Sequence, residues 1–214
     1  NENINTPGQG ARPPTAITKA PLGVVWHNNQ ADAFELASAD TMPIKLDMYK
    51  FGNYSSRAEF VEDWCSKYRL QGHPIYELLV DAPCQLYFDI ELVRPGTKPS
   101  DEEIKRWLLA IMAEIAAELG KLGVPDKVIE DCLVGFDCRE TKAGFKRSFH
   151  LAYPEVVFQN NHTHMKKFVL EAVMPRIKVT PGDFKWIAEE KGGPAVKFAV
   201  DDRVYTRNRA WRVM

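Results

Sequence analysis

Long apolar runs are missing from this sequence. None approaches the roughly 18 residues that a membrane-spanning helix needs, and no stretch resembles a signal peptide. The expectation is a soluble protein with no membrane partner. Cysteine is scarce. Cys65, Cys84, Cys132 and Cys138 form no C-x-x-C pair, and their wide spacing favours reduced, partly buried thiols over a disulfide frame. His162 and His164 fall in a polar loop without matching cysteines, so they read as surface residues rather than as a zinc site. An excess of positive charge is absent too. With 28 Lys and Arg against 29 Asp and Glu, the net charge of −1 leaves no global basic footprint, so any contact with nucleic acid has to rest on local clusters. No internal repeat is visible. What the chain does have is 45% hydrophobic and 11% aromatic residues over 214 positions, enough to bury a sizeable core as one domain or as two closely fused modules.

Residues 1 to 20, rich in Pro, Gly, Asn and Thr, cannot offset the entropy of ordering and are expected to form a flexible tail that reaches to about residue 25. A small module follows over 26–75. It holds "QADAFELA", a short strand-like "IKLDMYKF", and a helix in "SSRAEFVEDWCSKYRL", where Ser56 and Glu59 make a capping box and Phe60, Trp64 and Tyr68 recur at helical spacing. The remainder, 76–214, opens with the strand "CQLYFDIELVR". A helix then begins at a second capping box, Ser100 to Glu103, with Ile104, Leu108, Ile111, Ile115, Leu119 and Leu122 as its apolar stripe and Gly123 as its stop. "DCLVGFDC" and "FKRSFHLAYP" read as a hairpin closed near Gly144, with "EVVFQNN" after it. The helix "HMKKFVLEAVMPRI" is bent or ended by Pro175, and "AVKFAVDDRVYTRNRAWRVM" reads as a last strand. Strand, long helix, strand hairpin, helix and strand outline an α+β fold, a mixed sheet with helices packed on one face, as in an RNA-recognition-motif-like (RRM-like) core.

Within "CQLYFDIELVR", Leu86, Phe88, Ile90 and Leu92 share one face of an extended chain, and Tyr87, Asp89 and Glu91 share the other. Residues two apart in a strand lie about 6 to 7 Å apart, so two carboxylates can converge on one divalent ion or on a close pair of ions. A lone Asp-x-Glu is more often the acidic face of a half-exposed strand. In "FKRSFHLAY" the same parity aligns Lys146, Ser148 and His150 opposite Arg147, Phe149 and Leu151. A mobile cation, a hydroxyl and an imidazole in a row suit a polyphosphate, and a solvated polar strand face is the plainer alternative. In the last segment Val196, Phe198, Val200 and Val204 share a face, so Asp201 points away with Lys197 and Arg203, and Arg207, Arg209 and Arg212 follow. A carboxylate followed by arginines suits a metal-bound phosphate, since hard oxygens hold the ion and guanidinium forks take the remaining charge. An arginine-rich surface turn would look the same. Parity favours Asp201 over Asp202 as the functional acid, because Asp202 falls on the apolar side of a continuous strand; a bulge would reverse this.

"LYFDIEL", "KRSFHL" and "VDDRVYTRNRAWRV", in that order, resemble the three motifs of the archaeo-eukaryotic primase superfamily, most closely its primase-polymerase (PrimPol) branch. The resemblance also touches "QADAFELA" and "YELLVDAPCQLYFDIEL", so it covers most of the chain after about Trp26. It implies the archaeo-eukaryotic primase fold and a DNA primase-polymerase. Asp89, Glu91 and Asp201 would bind two catalytic Mg2+ or Mn2+ ions. Ser148 and His150, with Lys146 beside them, would contact the phosphates of an incoming NTP or dNTP, and Arg209 and Arg212 would hold the same triphosphate. Lys50 falls near where relatives keep a basic phosphate contact, and Tyr76 is a candidate for sensing the sugar. The implied partners are a single-stranded DNA template and primer, with single-strand-binding or replication proteins beside them. The implied setting is a nucleus or mitochondrion in a eukaryote and a cytoplasm otherwise. Relatives continue past the third motif, often with a zinc module that assists priming, so the chain, ending at Met214, is expected to be truncated at its C-terminus. A catalytically inert nucleic-acid-binding module and a gap-filling or end-joining repair polymerase are the competing expectations.

Overall fold

Among the described residues, the computed structural model of the chain holds two antiparallel sheets and a separate hairpin, with most of the helices packed against one of the sheets. The structure describes residues 24–27, 30, 33, 42–46, 50–63, 65–66, 75–79, 81–94, 96, 98–179, 184–190, 192–207 and 209–212. The expected tail lies outside these except for Val24 and Val25, as does "QADAFELA" except for Gln30 and Ala33. No helix among the described residues is long and apolar enough to cross a membrane.

The first sheet contains β1 (Val24–His27), β2 (Met42–Leu46), β3 (Lys50–Tyr54) and β4 (Ile75–Leu79). "IKLDMYKF", expected as one strand, is split between two: Ile44–Leu46 closes β2, Lys50 opens β3, and the two pair antiparallel with Leu46 opposite Lys50. Apolar and polar residues alternate on both sides of the break, so periodicity alone does not reveal it. Helix α1 (Arg57–Asp63) follows β3. Ser56 Oγ accepts the Glu59 N–H at 3.2 Å, which is half of the expected capping box, while the Ser55 hydroxyl donates to the Glu59 carboxylate. Phe60 packs edge-on against the buried Tyr54 ring, 5.4 Å between centroids. Trp64 and Tyr68 lie outside the described residues.

The second sheet is built from β5 (Cys84–Arg94), β6 (Leu133–Phe136), β7 (Arg139–Thr141) and β8 (Gly144–Phe158). Helices α2 (Asp101–Lys121) and α3 (Asp126–Glu130) connect β5 to β6. β8 lies between β5 and β6 and pairs with β7 as well. A two-residue loop joins β7 to β8, and Gly144 beyond it has φ +128°, a region that disfavours any side chain. The capping box at Ser100 is complete: Ser100 Oγ accepts the Glu103 N–H at 3.2 Å and Glu103 Oε2 accepts the Ser100 N–H at 2.7 Å. Ser100→Ala should therefore lower stability by about 1 kcal/mol in urea unfolding, and an unchanged midpoint would show that the cap contributes nothing.

Leu86, Phe88, Ile90 and Leu92 are fully buried in one cluster with Leu108, Ile111, Ile115 and Leu119 of α2, as their spacing predicts. Leu122 is exposed instead, because it is the C-cap, and Gly123 follows it with φ +77°. Arg147 is on the same buried side, where its guanidinium stacks 5.5 Å over the Trp107 ring.

A further helical run, α4 (residues 161–179), also enters that cluster through Met165, Val169, Val173 and Ile177. It starts earlier than expected. Asn160 caps the N–H groups of Thr163 and His164, so both histidines belong to its first turn, Asn161–Met165, rather than to a loop. Pro175 does not end it. A π-helical turn at Val169–Val173 widens the backbone just before the proline, which then falls in the first turn of the segment Met174–Val179.

The expected last strand is broken. β9 (Lys185–Glu190) and β10 (Gly193–Phe198) form a hairpin, Val200 makes an isolated antiparallel bridge to Ile90, and a 3-10 turn spans Asp202–Val204. β11 (Arg209–Arg212) then adds to the first sheet beside β4, so that sheet draws on both ends of the described chain.

Candidate active site

β5 is the shared support. On one edge it pairs with β8, with Asp89 opposite His150 and Glu91 opposite Ser148. On the other edge the chain at Ala199–Asp201 closes in: the Glu91 N–H donates to the Ala199 carbonyl at 2.7 Å and the Asp201 N–H to the Asp89 carbonyl at 2.9 Å. The three sequence motifs thus lie side by side in the order third, first, second. Directly opposed residues of an antiparallel pair put their side chains on the same face, so the acids of β5 and the polar trio of β8 share one surface, away from α2.

Aromatic packing fastens the third segment to that surface. The Tyr87 hydroxyl donates to the Val204 carbonyl at 3.2 Å and accepts from Asn161 Nδ2, while the fully buried Tyr205 donates to the Tyr87 carbonyl at 2.8 Å. The two tyrosine rings stack at 5.4 Å, and Asn161 Nδ2 also donates to the Thr206 carbonyl at 3.0 Å. Sequence reasoning missed this network. Its one legible signal was the parity of Tyr87 with Asp89; nothing in "NNHTH" marks Asn161 as the residue that joins α4 to the loop.

Each acid meets a different environment. Asp89 is the most burdened: burial first, then the charges of Glu91 and Asp201, push its carboxyl up to about 6. Its Oδ1 is buried with no hydrogen-bond partner among the described residues, and His150 Nε2 stands 3.9 Å away, beyond hydrogen-bond reach. Glu91 Oε2 is paired with Lys146 Nζ across the strands. Burial works to raise the Asp201 carboxyl as well, but hydrogen bonds from Arg203 and the charges of Arg203 and Arg209 outweigh it and hold the group below the usual range. Ser148 is buried. Arg209 is half-buried on β11 opposite Leu79, and its Nε is buried with no hydrogen-bond partner among the described residues.

The backbone of Lys50 lies in β3 of the first sheet, and Arg212 is opposite Tyr76 in the β11–β4 pair. The side chains of these three are outside the described ones. Arg207 reaches outward to Asp81 at 3.4 Å, where His162 also approaches at 3.6 Å.

Among the described residues no three His, Cys, Asp or Glu side chains are already arranged to hold a metal ion. Two of the three acids are engaged by cations of the chain itself, Glu91 by Lys146 and Asp201 by Arg203. The donor set nevertheless suits a hard divalent cation. Asp89, Glu91 and Asp201 offer only carboxylate oxygens, burial and then their mutual repulsion raise Asp89, and Asp89 Oδ1 has no hydrogen-bond partner among the described residues. No protein-family model matches the chain, and no curated protein matches it.

Proposed function

We propose that the chain is the catalytic domain of a DNA primase-polymerase, with the RRM-like core of the archaeo-eukaryotic primase fold. The reaction would be template-dependent nucleotidyl transfer from an NTP or dNTP to a primer 3′-hydroxyl or an initiating nucleotide on single-stranded DNA. The observation that carries the reading is the register of β5 on β8, which sets Asp89 against His150 and Glu91 against Ser148 while the backbone of Asp201 is bonded to that of Asp89. Carboxylates that would hold metal and donors that would take phosphate thus meet along one strand pair. The order β5, α2, β6, β8, α4 and the Val200 bridge supports the RRM-like core.

Asp89, Glu91 and Asp201 would hold Mg2+ or Mn2+, which when bound would activate the attacking hydroxyl and neutralise the leaving pyrophosphate. Ser148 and His150 would donate to the triphosphate. Lys146 can turn from Glu91 to the same phosphates once Glu91 is otherwise neutralised, since its ammonium is a mobile point charge. Arg209, whose Nε has no hydrogen-bond partner among the described residues and whose charge acts on both Asp89 and Asp201, would hold the triphosphate beside the acids, with Arg212 further along the strand.

The testing assay is incorporation on single-stranded DNA with and without a pre-annealed primer. Products in both arms support the proposal. Products only with a primer would replace it by a repair polymerase, and none in either arm, with DNA binding retained, by an inert binding module. Arg209→Ala is expected to raise the nucleotide KM or lower kcat by about 10- to 100-fold, the worth of one charged hydrogen bond. Affinity for single-stranded DNA should stay nearly constant. A fall in DNA affinity with a shallower salt slope, and no change in nucleotide dependence, would move Arg209 to a template track.

A further inference from the structure

Arg203 makes a contact that the chemistry above does not require. Three donors converge on the Asp201 carboxylate: the Arg203 backbone N–H and Nε on Oδ1 at 3.0 and 2.9 Å, and Arg203 Nη2 on Oδ2 at 3.0 Å. The guanidinium fork therefore occupies both oxygens. The 3-10 turn Asp202–Val204 makes this possible, because Asp201 is its N-cap and the chain folds back on itself within two residues. Exposure divides the pair unevenly. The Asp201 side chain is 18% exposed and the Arg203 side chain 65%, so the carboxylate is largely covered while the arginine side chain lies at the surface.

We propose that Arg203 is a built-in counter-cation that competes with a divalent ion for Asp201 and so sets the ion concentration the site requires. This rests on the reading of Asp89, Glu91 and Asp201 as ion ligands. Arg203 is a positioning residue, not a catalytic one. A guanidinium spread over both oxygens blocks the lone pairs that an ion beside Asp89 would use, so ion entry has to release at least one of the two side-chain bonds. The backbone N–H bond to Oδ1 can persist and keeps the carboxylate aimed after release. Because an exposed fork-shaped pair contributes little in water, the competition should be worth about 3- to 5-fold in ion affinity.

The test is direct Mn2+ binding to the full chain, with free Mn2+ read by electron paramagnetic resonance in the absence of nucleotide and DNA. Arg203→Ala should tighten the Mn2+ Kd by about 3- to 5-fold relative to the wild type, and Arg203→Lys, which keeps the charge but loses the fork, should fall between the two. Asp201→Asn should weaken Mn2+ binding in either background. The sign separates competition from a purely structural role, since an arginine needed only to hold the turn would, once removed, loosen Asp201 and weaken the ion. Asp201-dependent binding that Arg203→Ala leaves unchanged or weakens overturns this inference alone. Binding that ignores Asp201 altogether overturns the metal-site reading with it. If Arg203→Ala does not fold, the Kd of Arg203→Lys decides by the same sign.

Discussion

Asp89→Asn is expected to abolish nucleotide incorporation and, at neutral pH, to make the protein more stable. The catalytic loss should be on the order of a thousandfold or more, because removing one anionic ligand removes several kcal/mol of charge stabilisation from the transferring phosphate. The stability gain has a separate origin. Burial and two neighbouring carboxylates raise the Asp89 carboxyl to about 6, so its ionised form opposes folding. The penalty is full above about pH 6, fades as the pH falls through that value, and is gone below about pH 4, the range in which the unfolded chain titrates. Asparagine never carries it. The variant should therefore exceed the wild type by about 1 to 3 kcal/mol at pH 7.5, with the difference closing by about pH 4. Urea titrations at the two pH values measure this, and a gain that does not change with pH would trace the effect to packing.

On the proposed reading the same carboxyl would link pH to ion binding. Divalent ions take the deprotonated form, so Mn2+ affinity should rise as the pH climbs through about 6 and added Mn2+ should raise the wild-type Tm by mass action. Asp89→Asn should show little of either response. Near-normal incorporation by this variant in saturating Mg2+ or Mn2+ would sink the assignment of Asp89 as a ligand.

Residues whose neighbours lie along their own strand or helix were legible in advance. Alternation in "CQLYFDIELVR" put Leu86, Phe88, Ile90 and Leu92 in the core and left Asp89 and Glu91 on the other face, because a strand that buries one side obeys a two-residue period. Spacing and the Ser100 cap located α2, and parity placed Arg147 on the buried side of β8. What was not legible depends on contacts distant in sequence or on departures from regular backbone. The pairing of Asp89 with His150 and Glu91 with Ser148 fixes which acid meets which donor, yet no local pattern encodes a register between segments about 60 residues apart. The return of β11 to β4, the 3-10 turn after Asp201 and the π-turns that carry α4 through Pro175 were missed for the same reason, since each is decided by packing that overrides local propensity.

Asp201→Asn should eliminate catalysis with both Mg2+ and Mn2+, while Asp202→Asn should retain most of it. The strand parity that favoured Asp201 assumed a continuous strand through Val204, and the chain here is not continuous. It bridges Ile90 at Val200 and then turns into a 3-10 helix, so Val204 is buried by that turn and by the Tyr87 hydroxyl on its carbonyl. The proposed choice of Asp201 rests instead on its backbone and charge contacts. The Asp201 N–H is bonded to the Asp89 carbonyl at 2.9 Å, the Asp201 charge contributes to the raised Asp89 carboxyl, and its side chain is largely covered. Asp202 opens the turn and is exposed. Asparagine at 201 keeps one oxygen for the Arg203 N–H and so preserves the turn, but it removes the charge that a divalent ion requires. Asparagine at 202 changes a solvated side chain whose removal should alter stability by no more than about 0.5 kcal/mol. Incorporation measured with each metal, alongside urea midpoints for both variants, separates the two residues. Inactive Asp202→Asn beside active Asp201→Asn would mean that the loop rearranges on binding and presents the second acid instead.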